Sequence, residues 1–223
     1  MDSKKTRKYI FLGGVLFLFP LVWVIFFGVM GTHHFSTLPY FDETHLEGDT
    51  VPCKHVVQFD RLKNEFGIPY TSDSLKGKVW LACFYSLNDP HIAKITERLL
   101  NINFKYRDEP DIQIVVFSTD SGSISNQVAQ DYLNSLTKYN GFSGKWKFLS
   151  NRDSVQQVNR IMKESFFIHD ISTEARFRLV DTQGHVRGLY GNTEYHMQSI
   201  IEDIALLKKE VDVARYNERH KND

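Results

Sequence analysis

The chain has 223 residues, with 27 basic and 27 acidic side chains and a formal net charge of zero. That balance argues against a nucleic-acid binder held by a basic face, and 42% hydrophobic with 13% aromatic residues excludes intrinsic disorder. Two cysteines are too few for a disulfide scaffold or a four-thiolate zinc site.

Residues 10–30 (IFLGGVLFLFPLVWVIFFGVM) carry no charged side chain. As a helix this stretch is long enough to cross a hydrocarbon core of about 30 Å, so it is expected to be a transmembrane anchor in contact with membrane lipid. Lys4, Lys5, Arg7 and Lys8 precede it, and nothing basic follows until Lys54. The positive-inside rule then places residues 1–9 in the cytoplasm of a single-pass inner-membrane protein and the remainder outside. The alternative is a cleaved signal peptide, but the run exceeds the usual apolar core of about 7–15 residues and lacks an A-x-A site. Four basic residues and Asp2 give residues 1–9 a net +3, which leaves a mildly acidic −3 beyond the anchor. Residues 31–54 read as a tether of aromatics among polar and turn residues, with Pro39 and Pro52 favouring an extended path.

Regular patterning begins near residue 55. His55–Asp60 is partly apolar, and Gly67-Ile68-Pro69 marks a turn or edge strand. Ser74–Lys78 turns into Val79–Tyr85, which is apolar on both faces as a central strand covered by helices would be. Asp89-Pro90 opens a helix whose buried stripe is Ile92, Ile95, Leu99, Ile102 and Tyr106. Asp111–Ser118 is a second buried strand. Val128, Tyr132 and Leu136 mark a second helix, and Trp146–Leu149 a short strand. Val155, Val158 and Met162 mark a third helix, with a cap expected near Asn151–Asp153. Ala175–Asp181 alternates, a Gly-containing turn follows, and His185–Tyr190 returns, which is a hairpin. Ile200, Ile204, Leu207 and Val211 mark a last helix, and from Ala214 the pattern fades into a polar tail, 214–223. This order implies an α/β domain over 55–213, a mixed sheet with helices on both faces, and it fits a thioredoxin-like fold behind an N-terminal transmembrane helix.

Several segments resemble the Sco/SenC family of membrane-anchored, thioredoxin-like copper proteins linked to cytochrome c oxidase assembly. Leu75–Trp80 resembles the family's approach to its central strand. Phe117-Ser118-Thr119-Asp120 resembles its strand ending in Ser-x-Asp, and Trp146-Lys147-Phe148-Leu149-Ser150 its Trp-x-Phe-Leu-Thr segment. Phe177–Asp181 with Gly184, followed by Arg187–Gly191, resembles its C-terminal hairpin. The family carries Cys-Pro-x-x-Cys-Pro and a distant histidine as copper ligands, a donor set that suits that metal. Laying Lys94-Ile95-Thr96 on the family's Lys-Met-Thr places Asn88 and Ile92 at the cysteine positions, and counting back from Asp181 places Thr173 at the histidine position. His169 lies four residues before Thr173, within reach of a shifted loop. The resemblance thus implies the fold, with copper as its possible cofactor and respiratory oxidase subunits as its possible partners. The family's usual ligands are not expected, and no catalytic residue is assigned.

The other candidates have plainer readings. Cys83, in mid-strand, reads as a small buried hydrophobe, with a redox thiol as the alternative; Cys53 could pair with it outside the cytoplasm. His33, His34, His45 and His55 could capture a metal weakly but read as tether polarity. Asp89 and His91 could ligate a metal or shuttle a proton, whereas Asn88 or Asp89 as a helix cap is the simpler reading. Asp120, Asp181, Glu194 and His196 are scattered, at no spacing that demands acid–base catalysis. The expected role is therefore an accessory factor in oxidase assembly or copper handling that is not an enzyme. The alternatives are a thiol–disulfide oxidoreductase or peroxidase-like protein and a non-catalytic partner-binding domain.

Overall fold

The computed structural model describes residues 18–20, 22–23, 37–42, 48–49, 55–120, 125–139, 144–150, 155–169 and 176–220. It divides into two units, Met1–Ser36 and Thr37–Asp223. In the first, 18–20 and 22–23 are helical. The rest of the expected anchor over 10–30 lies outside the described residues, as do 1–9, His33, His34, His45, Cys53, the cap near 151–153, Thr173 and 221–223. Among the described residues no helix is long and apolar enough to cross a membrane.

The second unit is a thioredoxin-like α/β domain. A short hairpin, β1 (Leu62–Lys63) and β2 (Pro69–Tyr70), precedes the main elements. These are β3 (Val79–Tyr85), α1 (Ile92–Lys105), β4 (Ile112–Ser118), α2 (Asn126–Leu136), β5 (Trp146–Leu149), α3 (Val155–Phe166), β6 (Phe177–Val180), β7 (Val186–Tyr190) and α4 (Glu194–Arg219). The sheet order is β5-β4-β3-β6-β7. β3, β4 and β5 are parallel, with Tyr85 opposite Ser118, and β6 and β7 run antiparallel.

The apolar runs explain the layers. Along β3 the side chains alternate between two cores: Val79, Leu81, Cys83 and Tyr85 pack with α1, α2 and α4, while Trp80, Ala82 and Phe84 pack with α3 and Val57–Leu62. Burial on both sides is why neither β3 nor β4 shows a polar face. In α1, Ile95, Leu99 and Ile102 are fully buried as the periodicity requires.

The helix marked by Val128, Tyr132 and Leu136 is present as α2; Val128 is 48% exposed, and the buried row is Ala129, Leu133 and Leu136. The alternating residues of β6 are buried on both sides, and Arg178 lies beneath α3 and donates to the Phe166 carbonyl, 2.9 Å. That carbonyl ends α3, where a helix supplies no N–H donor of its own and a cation is favoured. At the start of α1 the Asp89 side chain accepts the His91 N–H, 2.8 Å, as a cap would, while His91, the residue just before the helix, makes no side-chain cap bond of its own.

Part of the expected tether belongs to this unit. Tyr40 bridges Asp49, and Phe41 bridges Val186 on the edge strand β7. α4 continues to Arg219, so residues 214–219 of the polar tail are its exposed last turns.

Candidate functional site

The parallel strands β3 and β4 end side by side, and the start of β6 reaches the same end: the Thr119 N–H donates to Tyr85 O (3.2 Å) and the Phe84 N–H to Arg176 O (3.1 Å). Ligand sites of open α/β sheets form at this end, beyond the carboxyl termini of the strands. Three segments therefore converge here: 86–91, 119–120 and the approach to β6.

Asp120 is buried and organises the first two. Its carboxylate accepts the Ser86 hydroxyl, the Leu87 N–H (3.1 Å), the Asn88 amide (3.0 Å) and the Ser118 hydroxyl (2.8 Å). Four donors satisfy the buried charge, which would be costly without them. Asp89 ties the loop to the third segment by an ion pair with Arg176, both side chains being largely shielded. Asp89 also accepts the His91 N–H, 2.8 Å, at the helix start. Burial opposes ionisation of Asp89, but the Arg176 hydrogen bond, the His91 N–H and the charge of Arg176 outweigh it and hold its pKa below the ordinary carboxylate value.

Asn88 is thus turned to Asp120, Ile92 contributes only a half-buried aliphatic surface, and His91 and His169 are exposed. Among the described residues no three His, Cys, Asp or Glu side chains gather as a metal would require. Copper, implied by the sequence resemblance, favours thiolate and imidazole donors. An amide held by a carboxylate and a hydrocarbon do not fit it. Cys83 is a free, fully buried thiol whose pKa burial pushes well up, so it behaves as a core residue and not as a poised nucleophile.

The remaining candidates are dispersed. His55 Nε2 lies 3.1 Å from Ser165 O. Asp181 accepts the Gln183 and His185 N–H groups, each at 2.9 Å, within the β6–β7 turn. Glu194 is exposed beside Arg98, and His196 Nδ1 accepts the Gly191 N–H, 3.1 Å. Sequence reasoning missed Arg176 and Ser86 altogether and left Asp120 unconnected. Its partners Ser86 and Asn88 lie 34 and 32 positions away; the available signal was the Ser-x-Asp step at the end of a strand.

No family model and no curated protein matches the chain. Solved structures do. A SCO1/SenC family lipoprotein from Bacillus anthracis is similar at 22% identity, TM-score 0.57, over 69% of this chain and 95% of that one. BsSco, a member of the Sco family of cytochrome c oxidase assembly proteins with a disulfide switch, is similar at 25% identity, TM-score 0.57, over 69% and 93%. Copper-bound yeast Sco1 is similar at 20% identity, TM-score 0.54, over 70% and 92%.

Proposed function

We propose that the chain, which is similar in structure to Sco/SenC-family proteins, is a membrane-anchored, extracytoplasmic member of that family and an accessory factor in cytochrome oxidase assembly or copper handling, acting by binding a partner and not by delivering copper or by catalysis. The observation that carries this reading is the state of the site. On the match that lays Asn88 and Ile92 on the family's cysteines, the first is bonded to Asp120 and the second is aliphatic, while Asp89 and Arg176 join the segments that the family's ligands would join through a metal. Four neighbouring donors and an ion pair hold the loop without copper. Anchoring is supported by the uncharged run 10–30 with basic residues on one side only. The name of the Bacillus anthracis relative, a lipoprotein, points to a membrane-attached protein as well. An oxidoreductase reading is left to Cys53, since Cys83 is buried.

Two measurements test the proposal. The full chain in detergent, titrated with Cu(I), is expected to show no stoichiometric tight binding; tight binding lost on His91→Ala or His169→Ala overturns the accessory reading. The tagged chain, purified from its own membranes, is expected to bring oxidase subunits with it. Their absence from the wild-type preparation overturns the assembly role.

A further inference from the structure

Below the site, α1 and α2 leave an open groove between them, a cavity of about 960 Å³. Its walls include Ile92, Leu100 and Phe104 from α1, with Val128, Tyr132 and Tyr139 from α2 and the turn that follows it. Phe104, Val128 and Tyr139 are each about half exposed. The reason is geometric. Each helix turns one row into the sheet, Ile95 and Leu99 or Ala129 and Leu133, and the adjoining rows line the groove between the two helices. The lining positions recur at three- and four-residue spacing from Ile92 to Phe104, which is about 18 Å of helix. Across the floor the Thr96 and Tyr132 hydroxyls meet at 2.8 Å, and Tyr132 meets Tyr85 at 3.2 Å, so the helix spacing is pinned before anything binds.

Charge selects the occupant. Among the described residues the lining contains two carboxylates, Glu97 and Asp131, and no lysine or arginine. The basic groups of the far end sit outside it, Arg107 over the Phe104 ring at 4.9 Å and Lys138 over the Tyr139 ring at 5.2 Å. We propose that the groove between α1 and α2 docks an amphipathic helical segment of a partner protein, apolar at three- and four-residue spacing and carrying Lys or Arg opposite Glu97 and Asp131. A trench of this length takes about three turns of helix. Acidic residues at the end of the segment that meets Arg107 and Lys138 fix its direction. Leu87 and Ile92 line the groove and also belong to the segment around the site, so a bound partner would touch the site end of the domain. The inference rests on the partner-binding part of the proposed function and requires no metal.

The experiment uses the full chain in detergent and a fluorescent helical peptide of about fourteen residues, four turns, with leucines along one face and lysines flanking them. Two control peptides carry glutamate in place of lysine, or the same residues scrambled. Anisotropy is expected to show the lysine peptide binding at least about tenfold tighter than either control. Glu97→Lys with Asp131→Lys should reverse the preference between the lysine and glutamate peptides, and Val128→Asp should abolish binding. All three sites are exposed, so the thermal transition should be kept. Equal binding of the three peptides, or lysine-peptide binding unchanged in Val128→Asp, overturns the groove. The outcomes separate from those of the function itself: oxidase subunits that co-purify equally with wild type and with Val128→Asp exclude the groove and leave the assembly role, whereas their absence from wild type removes that role whatever the peptide does.

Discussion

Asp120 holds two hydroxyls, an amide and a backbone N–H in one buried place, so removing its carboxylate strands several donors at once. Asp120→Ala is expected to cost about 2–4 kcal/mol and Asp120→Asn less, since one acceptor oxygen remains; urea unfolding of both variants measures the difference. Leu87 amide exchange should accelerate in the alanine variant, and an unchanged rate would mean that the loop is held by something else. Asp89 gives the site a pH dependence of definite sign. Its folded pKa lies below the ordinary 3.8, so its contribution to stability is present above that value and is lost as pH falls through the lower folded one. Asp89→Asn should therefore cost about 1–3 kcal/mol at neutral pH, and the gap from wild type should close in acid. A gap that stays constant from neutral pH down to strong acid would show that the charge on Asp89 does not contribute. Asp203 runs the other way. Its burial, partly offset by the Tyr190 hydroxyl at 2.6 Å, raises its pKa, so its contribution is present at low pH and is lost as pH rises through the folded value.

Among the elements, α2 shows what a sequence pattern can and cannot decide. The three- and four-residue spacing predicts the helix, but Val128, Tyr132 and Leu136 form a row as regular as Ala129, Leu133 and Leu136. Hydrophobicity alone favours the row with valine and tyrosine, whereas contact with the sheet selects the small Ala129, which lets the helix approach closely. Leu133→Ala should accordingly cost about 2–4 kcal/mol, while Val128→Ala should fall within about 0.5 kcal/mol of wild type; equal costs in thermal unfolding would mean that Val128 is buried as deeply as Leu133. The strands β3 and β4 were legible because burial on both faces makes them almost wholly apolar, Gln113 and Ser118 of β4 being buried polar exceptions. The β6–β7 hairpin was legible from its turn. There Gly184 has φ +93°, and an added Cβ would lie 2.8 Å from a Val56 methyl carbon, so Gly184→Ala is expected to lower stability by at least about 1 kcal/mol. The site was not legible, because Asp120 with Ser86, and Asp89 with Arg176, are pairs separated by 34 and 87 positions that only the strand order brings together. Periodicity carries no information about contacts of that kind.

At the scale of the whole domain, one buried arginine joins its beginning to its end. Arg187 of β7 donates to Leu38 O (2.6 Å) and Pro39 O (3.1 Å), lies 3.9 Å from the Tyr40 ring centroid, and pairs with Asp181 (3.1 Å) and Glu210 of α4 (3.1 Å). The Leu38 N–H reaches the same Glu210, at 3.1 Å. This hub explains why a segment without hydrophobic periodicity is nevertheless ordered against the sheet: its backbone carbonyls and one aromatic ring bind a cation that the hairpin supplies. It also places Phe41 where its N–H can donate to Val186 O, 3.0 Å, covering an edge strand that would otherwise present unpaired groups. Arg187→Met keeps the apolar stem and removes the charge, leaving Asp181 buried without its partner, so the expected cost is about 3–5 kcal/mol. Adding Asp181→Asn should recover part of that loss, because the stranded charge goes with it, and the two substitutions should combine to less than their sum. Hydrogen exchange separates a hub from a local ion pair: Arg187→Met should deprotect the amides of Tyr40 and Phe41 ahead of global unfolding. If both amides keep their wild-type protection while the denaturation midpoint falls, the arginine stabilises the hairpin alone, and residues 38–41 are held by their own backbone pairing.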